Sequence, residues 1–139
     1  MTLHLYGASF WTLSGLEAVN VHVLNSMDSL APATIEKIKQ EVQKVLHAEG
    51  IKTGQQDSPS LVVRLQEIVA EDKMHYVYTR LEIGEEVKTS RKGASEVFAN
   101  TYSTNDFFET SDEELSADVL DSIDFLLSKF KGQYEDDKE

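Results

Sequence analysis

The chain has no cysteine. That excludes disulfides, thiol nucleophiles, thiolate zinc sites and cysteine-ligated iron–sulfur clusters. It does not fix the compartment, because cytosolic and periplasmic proteins alike can lack cysteine. Proline is nearly absent too, with two in 139 residues. Basic residues are scarce: 13 Lys and Arg stand against 25 Asp and Glu, for a formal charge of -12. Phosphate binding relies on clustered Lys and Arg, so this balance argues against bare nucleic acid as a partner. It equally disfavours an anionic membrane surface. No apolar run approaches the roughly 20 residues of a membrane helix, so no membrane insertion is expected. The first residues, Met1-Thr2-Leu3-His4-Leu5-Tyr6, lack the basic start of a signal peptide. The chain reads either as cytoplasmic or as a mature, periplasmic exported domain with a start Met.

Catalytic motifs are missing as well. There is no phosphate loop, no dinucleotide fingerprint and no H-E-x-x-H, so no cofactor is expected. Gly7-Ala8-Ser9-Phe10-Trp11 holds a Ser but lacks the second Gly of a nucleophile elbow. His4, His22, His47 and His75 are each more than four residues from the next. His22 and His75 fall on expected strands, and with a carboxylate two imidazoles can bind a metal. Ordinary sheet histidines are the stronger reading, so no metal site is assigned. Asp118, Asp121 and Asp124 form a row on a helix without the tight glycine turn of a calcium loop. That row reads as a solvated face.

What is present is pattern. Ile35, Ile38, Val42, Val45 and Leu46 form one helical stripe; Leu115, Val119, Ile123, Leu126, Leu127 and Phe130 form another. The first helix should run over about 33–48, with Pro32 in its first turn and Gly50 as its stop. Residues 16–24, 61–69, 74–88 and 94–103 alternate as strands. Residues 51–59 read as a polar connection. Gly84 marks a bulge, and Ser90-Arg91-Lys92-Gly93 a hairpin turn. Ser111 with Glu114 matches a capping box for the second helix, and Gly132 should end it.

These elements predict an α+β domain over 16–132, in the order β-α-β-β-β-α. Its sheet is mixed, mostly antiparallel and four-stranded, with both helices on one face. Residues 1–15 form an N-terminal arm, and 133–139 a disordered acidic tail. The charge is uneven. Residues 106–139 hold 12 acidic and 3 basic side chains, so most of the negative field belongs to the last helix and tail.

If the aliphatic strand faces pack under the helices, the other face carries His22, Arg64, Gln66, Ile68, Tyr76, Tyr78, Arg80, Phe98 and Tyr102. Tyr and Arg are enriched at binding hot spots, while an open sheet face is ordinarily more polar. Three occupants fit: the arm with Phe10 and Trp11, a protein partner or second copy, or a small ligand. The expected interaction surface is Arg64, Tyr76, Tyr78, Arg80, Phe98 and Tyr102. The alternative is a pocket between arm and sheet built from His22, His75 and Trp11, with Glu82 or Glu96 orienting the imidazole.

The element order resembles a group of small bacterial cell-envelope domains. They include the N-terminal domain of the Tol–Pal translocation protein TolB and lipoprotein domains of the penicillin-binding-protein activator type. Val19-Asn20-Val21-His22-Val23, the two stripes and the 74–103 hairpin carry the resemblance over about 120 residues. It implies a non-enzymatic assembly or regulatory role at the envelope. No motif matches, so no site residue is carried over.

Overall fold

The computed structural model describes residues 12–138, so Trp11 and most of the expected arm lie outside the described residues. The elements are β1 (Ala18–Asn25), α1 (Pro32–Ala48), β2 (Lys52–Thr53), β3 (Ser60–Val69), β4 (His75–Lys88), β5 (Glu96–Thr110) and α2 (Leu115–Asp137). One mixed sheet runs β2-β1-β3-β4-β5. β1 pairs parallel with β2 and β3; the β3–β4 and β4–β5 pairs are antiparallel.

The fold is α+β with two helices, as expected, but the sheet has five strands rather than four. The extra strand is the two-residue β2. It is too short to show a period, and it exists because Ile51 is buried and the Lys52 N–H donates to the Glu17 carbonyl at 2.9 Å. Both stripes bury into one cluster. Ile38, Val42 and Leu46 of α1 join Val119, Ile123, Leu126, Leu127 and Phe130 of α2 over Val19, Leu61, Val63, Leu65, Val77, Leu81 and Ile83. Since strand side chains alternate, β1, β3 and β4 turn their other residues to the opposite face.

Helix α1 follows its sequence signals. Pro32 opens it without a side-chain cap, and Gly50, at φ 79°, supplies the left-handed residue just past its end. Helix α2 departs from them at both ends. The capping box does not form: residues 112–114 make a turn, and the helix begins at Leu115. Asp112 is drawn instead to His75, and Asp118 accepts from the Thr110 hydroxyl at 2.6 Å.

At the other end the helix passes through Gly132 to Asp137 and takes up most of the expected tail. Glycine inside a helix costs about 1 kcal/mol. Buried partners offset that. The Tyr134 hydroxyl donates to the Leu16 carbonyl at 3.0 Å, the Leu13 N–H donates to Asp137 at 3.1 Å, and the Phe130 and Tyr134 rings stack with centroids 6.2 Å apart.

Strand β5 runs on to Thr110, well past the expected end at 103. Its polar 103–106 stretch looks like loop, but β4 offers a continuous hydrogen-bonding partner down to the His75–Thr110 pair. The expected bulge at Gly84 is present. Ile83 pairs with Tyr102 and Gly84 with Asn100, which leaves Thr101 as the extra residue.

Candidate functional site

That one extra residue sorts the aromatics of β5. Phe98 and Asn100 lie on the open face with Gly84. Past Thr101 the alternation inverts, so Tyr102 turns toward the helices with Ile83. Tyr102 meets Phe130 edge-on at 5.7 Å, and burial, aided by Asp137, pushes its phenol up to about 12. Tyr102 is therefore removed from the expected interaction surface. Phe107 takes a place there instead. It pairs with Tyr78 and is 66% exposed, while its neighbour Phe108 packs on the core. A strand ended at 103 could not include it. The Phe107-Phe108 doublet was the available signal, since within a strand it puts one ring on each face.

The open face is a strip along β4. At one end Tyr76 lies between Ile68 and Glu109, and Tyr78 between Gln66 and Phe107. Ile68 is 73% exposed. The Tyr76 phenol is raised by the charges of Asp72 and Glu109. Asn105 donates to the Tyr78 hydroxyl at 3.3 Å. In the middle Arg64 and Arg80 occupy directly opposite positions, with Leu24 beyond Arg64 on β1. Like charges so placed repel. Glu82 offsets this: it ion-pairs with Arg64 Nε and accepts from Asn100 at 2.5 Å, which leaves it only 2% exposed. Arg80 Nε stands 3.6 Å from Glu82 Oε2, outside hydrogen-bond range. It is buried and has no hydrogen-bond partner among the described residues. At the far end Phe98 lies over Gly84, where a Cβ would come within 2.5 Å of its ring.

The structure does not bring the candidate histidines together. His22 is exposed on the open face of β1, opposite Val62. His75 is buried on the helix-covered face, between Val69 and Thr110. Neither expected orienting carboxylate serves it: Glu82 is held by the arginines, and Glu96 pairs with Lys88 at the far end of β5. His75 Nδ1 instead meets Glu67 at 2.6 Å, and its Nε2 meets Asp112. The hydrogen bonds to Asp112 and then Glu67 raise its pKa above the ordinary histidine value, against the opposing effect of burial. With both ring nitrogens engaged and 2% exposure, this imidazole is a structural tie rather than a free acid or base. Trp11, the third member of the expected pocket, lies outside the described residues.

A cleft of about 750 Å³ lies elsewhere, between β5 and the end of α2, lined by Thr12, Asn100, Thr101, Ser103, Lys129 and Gln133 among others. Among the described residues no group of three or more His, Asp or Glu is arranged to hold a metal ion. No helix among them is long and apolar enough to cross a membrane.

No family model and no curated protein matches the sequence. Among solved structures the chain is similar to a PelC dodecamer from Paraburkholderia phytofirmans (TM-score 0.45, 16% identity, covering 82% of this chain and 85% of that one). It is similar to a minor lipoprotein from Acinetobacter baumannii (TM-score 0.40, 12% identity, 87% of this chain and 92% of that one). It also resembles the rare lipoprotein B from Shewanella oneidensis (TM-score 0.29, 12% identity, 84% of this chain and 92% of that one). These TM-scores are all below 0.5, and the likenesses carry no argument about what this chain does.

Proposed function

We propose that this chain is a non-catalytic protein-interaction or assembly domain that binds through the open face of its sheet. The observation that carries the reading is the makeup of that strip. Ile68, Phe98 and Phe107 are well exposed around a pair of arginines that share Glu82, and the buried Nε of Arg80 has no hydrogen-bond acceptor among the described residues. Burying one such apolar side chain contributes roughly 1.5–3 kcal/mol. Association costs about 4–15 kcal/mol, so the three together give at most a weak complex. The arginines must supply further affinity and the register, through an acidic group on the partner.

The tyrosines fit the same role, with large contact area and few rotatable bonds. Replacing both Tyr78 and Phe107 by Ala should weaken self-association or partner capture about tenfold or more, while circular dichroism stays unchanged. Sedimentation velocity and affinity capture are the measurements. Unchanged behaviour in both would sink the reading.

Strand addition along the edge of β5, a 15-residue outer strand, is the second route to the same function. It predicts that β5 amides gain hydrogen-exchange protection in the complex. The proposal further places the domain at the bacterial cell envelope, on element order alone. Fractionation of source cells tests this, and recovery in the cytosol would remove the location without touching the interaction reading.

A further inference from the structure

We infer that the start of α2 is a two-state switch worked by His75. With the ring protonated, Asp112 is held on it; with the ring neutral, Asp112 lets go and residues 112–114 join the helix under a Ser111 cap. The ring lies on the helix-covered side of β4, so the inference stands apart from the reading of the open face.

The geometry sets up the competition. Nδ1 of His75 meets Glu67 of β3 at 2.6 Å, and Nε2 meets Asp112 in the turn before α2. These two carboxylates are the charges that act on the ring. Opposite it on β5 stands Thr110, which is neutral and whose hydroxyl holds Asp118 of α2 at 2.6 Å. An imidazolium donates from both nitrogens and satisfies both carboxylates. A neutral ring keeps one N–H, and its other nitrogen then turns a lone pair on a carboxylate. One contact must fail. The Glu67 side chain is 6% exposed and also accepts from the Ser29 N–H, whereas Asp112 is 72% exposed. Water rehydrates Asp112 far more readily than Glu67, so Asp112 is the one released.

The sequence supplies the second state. Ser111-Asp112-Glu113-Glu114 is a capping box, in which the Ser hydroxyl accepts from the Glu114 N–H and the Glu114 carboxylate from the Ser111 N–H. In the structure it is unmade: the Glu114 N–H donates to the Ser111 carbonyl at 3.2 Å, and no side chain caps the helix. Residues 112–114 already form a turn, and Glu114 has near-helical angles, φ -102° and ψ -1°, so little movement is needed. Three acidic residues would then lie at the positive end of α2. The change also reaches α1, because the Thr34 hydroxyl donates to Ser116 at 3.0 Å. The sign follows from the raised pKa of the ring: the held form is complete below pH 6.5 and gives way as pH rises through the folded value.

The test is NMR on the labelled full chain from about pH 5.5 to 9, a range that brackets the ordinary histidine value and a raised one. The His75 ring signals give its midpoint, and the Cα shifts of Asp112, Glu113 and Glu114 report helix. In wild type those shifts should turn helical on the same midpoint as the ring. Asp112→Ala removes the hold, so residues 113 and 114 should be helical throughout and the His75 midpoint should fall by about one pH unit. Ser111→Ala leaves both ring contacts in place and removes only the cap of the released state. The midpoint should then rise by about half a unit.

Cα shifts that stay flat while the ring titrates overturn the inference. So does a ring that fails to titrate by about pH 9, or a midpoint that Ser111→Ala leaves unmoved.

Discussion

At His75 a single residue joins three elements. Its ring, on β4, touches Glu67 of β3 and Asp112 in the turn before α2, and the Glu67 carboxylate also accepts from the Ser29 N–H at 3.3 Å. The two carboxylates do not weigh equally. Glu67 has a side chain only 6% exposed, whereas Asp112 is 72% exposed and screened by water. Replacing His75 by Gln leaves a buried carboxylate without its cation, and should cost about 2–4 kcal/mol in urea unfolding near pH 6.

The pH dependence has a definite sign. Because the folded pKa lies above the ordinary 6.5, the protonated ring is favoured in the folded state. Its stabilisation is fully present below pH 6.5 and disappears as pH rises through the folded value. Wild type should therefore lose urea midpoint across that window and the Gln variant should not. Parallel pH profiles for the two proteins would contradict this.

Among the elements, α2 departs furthest from its local sequence. Its last turns hold because Tyr134 and Asp137 reach back to Leu16 and Leu13, and those backbone groups become buried in return. Ending the chain after Gly132 should cost about 2–4 kcal/mol, from one half-lost aromatic cluster and two buried hydrogen bonds. Thermal or urea unfolding of the truncated chain measures it. A truncation that costs nothing would mean these residues are a frayed end after all. The middle of α2 is tied to the sheet by a polar relay as well as by its apolar stripe. Ser122 donates to Asp106 at 2.8 Å and shares a 2.7 Å hydrogen bond with Thr79, so these buried hydroxyls are satisfied.

For the molecule as a whole the governing quantity is charge. Most of the net -12 falls in residues 106–139, which include β5's end and all of α2. Asp124 registers it: burial first, then Glu41 and Asp121, raise its pKa from the ordinary value. A carboxyl with a raised folded pKa opposes folding once it ionises. Asp124→Asn should therefore raise the urea midpoint at pH 7, and moving wild type from 0.1 to 0.5 M salt should do the same by screening. A lower midpoint in the variant would contradict the account.

Composition and periodicity by themselves determined the element types, both helical stripes, the exclusion of thiol chemistry and the concentration of acid in the last quarter. These depend on spacing within one segment, which a chain carries before it folds. α1 shows it best, with Pro32, its stripe and Gly50 all local signals that the structure keeps. Everything decided by a partner strand or a distant side chain needed the tertiary structure. β2 exists because β1 lies beside it, and β5 reaches Thr110 because β4 continues. Tyr102 leaves the open face because Thr101 has no opposite number, and α2 outlasts Gly132 because Leu13 and Leu16 wait at its end. The site divides the same way. The alternation of Tyr76, Tyr78 and Arg80 is local and was legible, but the exchange of Tyr102 for Phe107 and the capture of His75 by Glu67 and Asp112 are set by register, which no single strand encodes.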